Sequence, residues 1–168
     1  MKFTTKITML LVAVFMTTVS VAQEKKQASP AATAKGTISG ANITINYSSP
    51  FVKGRVIWGE LVPYNKVWRA GANAPTTFET DKALKIEGKD LPAGKYAVYV
   101  IPEKDAATVV FGKDPKMSAY DYDQAKDQLR VKVKTKKSAK MNESLVYTVN
   151  KNNVTLSWEN LDIPVSVK

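Results

Sequence analysis

Two of the three arginines in this chain, Arg55 and Arg69, fall within or just before "VPYNKVWRAGANAPTTF", Val62 to Phe78. A guanidinium presents a planar fork of N–H donors that suits a carboxylate, a phosphate or sugar hydroxyls. Trp58, Tyr64 and Trp68 can supply a stacking face beside it. Asn73 adds an amide at the bend. Arg55, Trp58, Tyr64, Trp68, Arg69 and Asn73 are therefore the candidate ligand-binding residues. The same side chains could serve the fold alone. Trp68 would plug the end of a sandwich, carbonyls or Glu60 or Glu79 would clamp Arg69, and Asn73 would cap its own loop.

Other chemistries are weaker. "YDYDQAKD" gathers Asp121, Asp123 and Asp127, with Asp114 upstream. Three oxygen donors could hold Ca²⁺, but the central Gly and terminal Glu of a twelve-residue calcium loop are missing. Acids satisfying the N–H groups of a short helix fit the pattern better, so no metal site is expected. Glycoside hydrolysis needs two carboxyls facing across a groove. Glu60, Glu79, Asp81 and Glu87 lie near the distinctive segment, but no spacing sets two of them face to face. Ser138 sits in what reads as a polar loop and has no Ser-x-x-Lys partner. The chain contains neither His nor Cys. That excludes Ser-His-Asp and Cys nucleophile chemistry, disulfides, and ordinary zinc, copper or haem sites. No cofactor is expected. A non-catalytic binding domain comes first, with a glycan, a peptide or an envelope component as its partner. A hydrolase using carboxylates or Tyr on polysaccharide is the alternative, and a purely structural or assembly protein the third.

The elements that must position these residues read as β throughout. Ile43, Ile45 and Tyr47 alternate with Thr44 and Asn46. Val56 to Trp58 reads as a short apolar strand. "PTTFETD" and "ALKIE" alternate, and Lys95 to Ile101 is apolar on both faces, which suits a central strand. Leu129, Val131 and Val133 form one period-two set, and Leu145, Tyr147 and Val149 another. "KNN", Lys151 to Asn153, is a hairpin turn leading to Val154, Leu156 and Trp158. Within the opening segment, Pro63, Asn65-Lys66, Gly71, Asn73 and Pro75 predict a rigid, turn-rich connection, with Gly71 and Asn73 able to take positive φ. About nine short strands and at most one short helix, near 118–128, predict an all-β antiparallel sandwich, with a barrel as the other option.

The N-terminus has the form of a secretory signal. Lys2 and Lys6 precede an apolar run from Ile7 to Val19, and Ser20-Val21-Ala22 supplies the small residues of a cleavage site before Gln23. The run is shorter than the roughly 20 residues a membrane span needs. The expected organisation is a signal at 1–22, a polar, flexible leader at 23–35 and one domain at 36–168. The protein is expected in the periplasm or outside the cell, with no transmembrane segment once the signal is removed.

"SSPFVKGRVIWGELVPYNKVWRAGANAPTTF", "LPAGKYAVYVIP" and "YDYDQAKDQLRVKVK" occur in fixed order. Together they resemble the domain of unknown function 2911 family, small exported envelope proteins, over about Gly36 to Val167. The most specific stretch is "LVPYNKVWRAGAN". The resemblance implies an exported β-rich domain and carries no activity, substrate or catalytic residue.

The formal charge of +10 becomes +8 once the signal's two lysines leave. Lysines are scattered, and "KVKTKKSAK", Lys132 to Lys140, is their one dense run, read as a strand end entering a polar loop. Nucleic-acid binders favour Arg forks and interleaved aromatics on one element, whereas only three of the basic residues here are Arg, so no nucleic-acid partner is expected.

Overall fold

A computed structural model describes residues 28–168. The expected export signal at 1–22 and the start of the leader lie outside the described residues. Ten strands follow in order: β1 (Ala31–Ile38), β2 (Ala41–Ser48), β3 (Thr76–Thr80), β4 (Leu84–Ile86), β5 (Lys89–Leu91), β6 (Gly94–Pro102), β7 (Ala106–Gly112), β8 (Asp127–Lys134), β9 (Lys136–Val149) and β10 (Asn153–Ser166). One layer is a six-stranded antiparallel sheet in the order β1-β2-β3-β6-β7-β8. The other is built from the hairpins β9–β10 and β4–β5. Backbone bonds join them, with Lys85 N donating to Lys168 O at 2.7 Å and Lys168 N to Lys85 O at 2.9 Å. The result is an all-β sandwich and not a closed barrel.

Period-two patterning builds this core. Ile43 and Ile45 of β2, Phe78 of β3 and Tyr96, Val98 and Val100 of β6 turn inward. They meet Leu145 and Tyr147 of β9 and Val154, Leu156, Trp158, Ile163 and Val165 of β10. Each large apolar side chain buried this way stabilises the fold by about 1.5–3 kcal/mol relative to exposure. Strand β6 is central, as its two apolar faces predict. Its outer face, Ala97 and Tyr99, is covered by the connection between β7 and β8, which brings Met117, Ala119 and Tyr122 over it. The Tyr99 hydroxyl donates to Met117 O at 2.7 Å and pins that connection. Two single 3₁₀ turns, Ala119–Asp121 and Gln124–Lys126, stand where the short helix was expected.

Three expectations change. Ala31–Lys35 is strand β1 rather than part of the flexible leader. Its inward residues are small (Ala32, Ala34 and Gly36), so a polar, alanine-rich composition hid the alternation. Ser39 and Gly40, at φ 51° and 75°, make the two-residue left-handed turn that suits a twisted hairpin. Val56–Trp58 is not a strand. Val62 N returns to Ile57 O at 2.9 Å, so the chain turns before a ladder can grow. Finally, the lysine-rich run is no loop. Thr135 alone separates β8 from β9, and Ser138 is a buried β9 residue whose hydroxyl donates to Asp162.

Asp81 staples the turn after β3 to the start of β2. Its carboxylate accepts from Asn42 N and Asn42 Nδ2, both at 2.7 Å. These bonds, the backbone one first, hold its pKa below the ordinary carboxylate value. A depressed pKa contributes stability that is present above the unfolded value, about 4, and lost as pH falls through the lower folded value. Asp81→Asn is therefore expected to lower the thermal midpoint at neutral pH, with the gap to the parent closing as the solution is acidified below about pH 4. A gap that stays constant with pH would mean that the carboxylate charge is not what these bonds use.

Candidate functional site

The distinctive segment is best understood from its neighbour, β6. Trp68 and Val100 exchange backbone bonds at 2.8 Å each, and Asn65 N donates to Pro102 O at 2.8 Å. Farther along the same edge of β6, Thr76 of β3 pairs with Val98. The chain thus runs beside β6, leaves it after Trp68 and rejoins it at Thr76. Residues 69–75 are looped out of what would otherwise be one strand.

The root of this excursion is rigid. Ala70 is buried and left-handed, at φ 53°. Its carbonyl accepts from Thr76 Oγ1 at 3.1 Å and from the buried Tyr147 hydroxyl at 2.8 Å. Ala72 N donates to Ser48 O at 3.2 Å. Gly71 keeps a negative φ, contrary to the sequence expectation, and is required for space instead. A Cβ there would stand 2.7 Å from Thr76 Oγ1 and 3.1 Å from Ser48 O. Positive φ belongs to Ala70 and to Asn73, at 56°.

The outer part carries the chemistry. Arg69 Nη1 donates to Asn73 O at 2.6 Å. Asn73 Nδ2 donates to Ser29 O at 3.1 Å. The guanidinium carbon lies 5.0 Å from the centre of the Tyr120 ring, a cation–π contact with the connection between β7 and β8. Between these two segments lies a groove of about 100 Å³ lined by Arg69, Asn73, Pro75, Lys116, Ser118 and Ala119. No carboxylate is in that lining. Among the described residues the ion pairs are Lys85–Asp90, Lys95–Glu79, Arg130–Asp127 and Lys132–Glu103, so neither the Arg69 guanidinium nor the Lys116 ammonium is in an ion pair, although the Asp114 carboxylate accepts from Lys116 N at 2.9 Å. Glu79, one expected clamp for Arg69, is taken by Lys95 at 3.3 Å.

The structure divides the candidate residues. Arg69 and Asn73 meet at the groove. Arg55 holds its own turn, with Nε donating to Val52 O at 3.1 Å and Nη2 to Phe51 O at 2.6 Å. Trp58 and Trp68 are half-buried and pack with Trp158 into one cluster. Trp68 stacks on Trp158 at 5.8 Å and 17°, while Trp58 meets both edge-on. Tyr64 lies over Gly59, where a Cβ would come 2.9 Å from its ring. Lys116, Ser118 and Tyr120 were not singled out from sequence. Nothing in a linear reading places them against Arg69, because the fold over β6 does so.

The acidic run does not converge. Asp123 accepts from Ala125 N as a turn cap. Asp127 accepts from the Tyr122 hydroxyl at 2.8 and 3.0 Å and pairs with Arg130 at 3.4 Å. Asp121 sits exposed in the first 3₁₀ turn. Among the described residues no three His, Cys, Asp or Glu side chains gather to hold a metal. Tyr99, Tyr122 and Tyr147 do not suit nucleophilic work. Burial pushes the Tyr99 and Tyr122 hydroxyls up to about 12, and Tyr147 still further.

No curated protein and no solved structure matches the chain. The model of one family, described as protein of unknown function (DUF2911), matches residues 29–167, which takes in every strand of the sandwich and both walls of the groove. The chain therefore belongs to the domain of unknown function 2911 family.

Proposed function

We propose that this protein is an exported, non-catalytic binding domain of the cell envelope, and that the Arg69–Lys116 groove takes an anionic group of its partner. One observation carries the reading. Two cations line a small groove with no acid in its wall, and one of them is held at its base by Asn73 O and Tyr120. Pre-positioning of this kind removes much of the ordering cost of binding. A volume of about 100 Å³ is roughly three waters' worth, room for one carboxylate, sulfate or phosphate group. The lining offers a fork, an ammonium, a hydroxyl and an amide, but no acid to protonate a leaving group. It is suited to holding rather than hydrolysing. The signal-like N-terminus supports export.

The test is a thermal-shift series on the mature chain, residues 23–168, with inorganic phosphate, sulfate and anionic polysaccharides. An anion at about 100 times its dissociation constant should add about 2.7 kcal/mol to stability. Arg69→Ala should abolish that shift while itself costing no more than about 1.5–3 kcal/mol, because one charge-assisted bond to the Asn73 carbonyl is lost and no buried carboxylate is stranded. Raising the salt should weaken the shift, since the site is open to solvent. Anion stabilisation that survives intact in Arg69→Ala would remove the groove as its source.

An assembly role is the second reading. Val56 and Leu61 are 54% and 45% exposed on one tight turn, with Leu61 N bonded to Val56 O at 3.3 Å. Concentration-dependent light scattering that disappears in Val56→Ser/Leu61→Ser would favour it.

A further inference from the structure

We infer that the turn from Lys53 to Lys66 docks on an anionic lipid surface, with Val56, Leu61 and Tyr64 entering the boundary between headgroups and acyl chains while the cations around them meet lipid phosphates. The inference concerns a second surface, which shares no lining residue with the Arg69–Lys116 groove.

Among the described residues six large apolar side chains are exposed, and Val56, Leu61 and Tyr64 are three of them. The turn gathers them. Leu61 N bonds to Val56 O at 3.3 Å, and the Tyr64 ring lies over Gly59. A rigid frame imposes their exposure. Ile57 and Val62, which follow Val56 and Leu61 in the chain, are buried and joined by Val62 N to Ile57 O at 2.9 Å, which turns their neighbours outward. Glu143 of β9 fixes the start of the turn, its carbonyl accepting from Val52 N at 2.7 Å and its carboxylate from Lys53 N at 2.9 Å. Trp58 Nε1 ties the middle to Trp158 O at 3.4 Å. Contiguous exposed apolar side chains on so fixed a frame mark a contact surface.

Charge points to the partner. Lys53, Arg55 and Lys66 are exposed on the turn, with Glu60 as its one acid. The connection between β6 and β7 joins this turn to the lysine-rich run, because Asn65 N donates to Pro102 O at 2.8 Å and Thr135 N to Asp105 O at 3.2 Å. Over residues 53–66, 102–106, 132–143 and 158–162, the segments that meet at this end of the sandwich, nine Lys or Arg stand against six Asp or Glu. Apolar side chains ringed by an excess of cations suit reversible docking on anionic lipid, where burial and charge attraction act together. A tyrosine ring and lysine stems suit headgroup depth, since each has an apolar body and a polar tip. A second copy of the chain suits the turn less. A two-fold pairing of this patch would set its cations against themselves. Three side chains about half exposed also offer only a few hundred Å², against about 800 Å² from each partner in a stable interface.

Co-sedimentation of residues 23–168 with vesicles is the test, using phosphatidylcholine alone and phosphatidylcholine mixed with phosphatidylglycerol at about three to one. The protein should partition at least tenfold more strongly onto the anionic vesicles, and about 0.5 M salt should release it. Val56→Ser/Leu61→Ser should lower that partitioning about tenfold. Lys53→Gln/Lys66→Gln should lower it about fivefold for each cation removed. All four side chains are exposed, so the fold and the phosphate-induced thermal shift should be unchanged in both variants. Tryptophan emission should be quenched by lipids brominated near the top of their acyl chains, because Trp58 lies within the turn.

Equal partitioning onto neutral and anionic vesicles, or binding kept in full by Val56→Ser/Leu61→Ser, would overturn the inference. Vesicle binding without bromine quenching would overturn the entry of the apolar side chains. Absence of vesicle binding would also overturn the inference, and concentration-dependent light scattering lost in the same serine variant would then give the turn to a second copy. None of these results touches the groove, which stands or falls on the anion-induced thermal shift and its loss in Arg69→Ala.

Discussion

Trp158→Ala is expected to destabilise the protein by about 3–5 kcal/mol, the range for emptying a large aromatic site in a core. Trp158 is 1% exposed and forms the floor of the tryptophan cluster. Its position depends on an irregular ladder. The β9–β10 register shifts on both sides of Glu159, which takes a left-handed φ of 52°. This bulge kinks the strand beside the indole. Removing the ring deletes the stacked face of Trp68 and one of the two edge-on contacts of Trp58. The remaining two tryptophans are themselves half-buried and cannot close the gap without leaving their backbone anchors. At roughly 4 °C per kcal/mol for a domain of this size, the midpoint should fall by about 12–20 °C. Tryptophan fluorescence should shift to the red as Trp58 and Trp68 gain water. Trp158→Phe should cost less than half as much. It keeps an aromatic ring and removes the buried Nε1, which has no hydrogen-bond partner and whose burial costs about 1–3 kcal/mol. An Ala variant within about 1 kcal/mol of the parent would mean that the cluster is not a plug for the sandwich.

Gly71→Ala is the second large effect, and it reaches the groove. The added methyl would meet Thr76 Oγ1 at 2.7 Å and the Ser48 carbonyl at 3.1 Å. Thr76 cannot easily turn aside, because it is fully buried and its hydroxyl holds the Ala70 carbonyl. Ser48 belongs to β2 and its carbonyl holds Ala72 N. Overpacking of this kind costs about 1–3 kcal/mol, and loss of the Thr76 bond would add to it. Arg69 and Asn73 lie two residues to either side. Displacement of the root should therefore separate the Arg69 fork from the Asn73 carbonyl and weaken anion binding as well as stability. Chemical denaturation and anion titration of the same variant check both. A variant that loses stability but binds anions as the parent does would show that the outer loop is held by Tyr120 and Ser29 rather than by its root.

Much of the architecture was legible in the chain. Alternation at Ile43–Ile45, Leu129–Val133, Leu145–Val149 and Val154–Trp158 identifies strands because one face must be buried while the other is wet. The double apolar face of β6 identifies a central strand. Misreadings share a cause. Strand β1 shows little apolar alternation because its inward residues are alanines and a glycine, and Val56–Trp58 resembles a strand because three apolar residues look alike whether they lie in a ladder or a turn. The second half of Lys132–Lys140 resembles a polar loop following a strand end because lysines on exposed strand positions look like lysines in a polar connection. In each case the deciding term is a partner outside the run itself: Val149 for Gly36, Val62 for Ile57 and Asp162 for Ser138.

The candidate site divides along the same line. By itself the sequence determined the all-β class, the exclusion of His and Cys chemistry, and the segment around Arg69 and Asn73 as a dense, rigid connection. Those follow from residue type and from local φ preferences, which act within a few residues. Only the tertiary structure decided which aromatics are core and which are presented. Trp58 and Trp68 went to the cluster because Trp158, carried in by β10, buries their faces. Tyr120 was left in solvent because the connection over β6 spends Met117, Ala119 and Tyr122 on packing. Arg69 acquired Lys116 and Tyr120 as neighbours through that same connection. Packing between segments distant in sequence has no local signature, because its energy depends on what the rest of the chain places opposite.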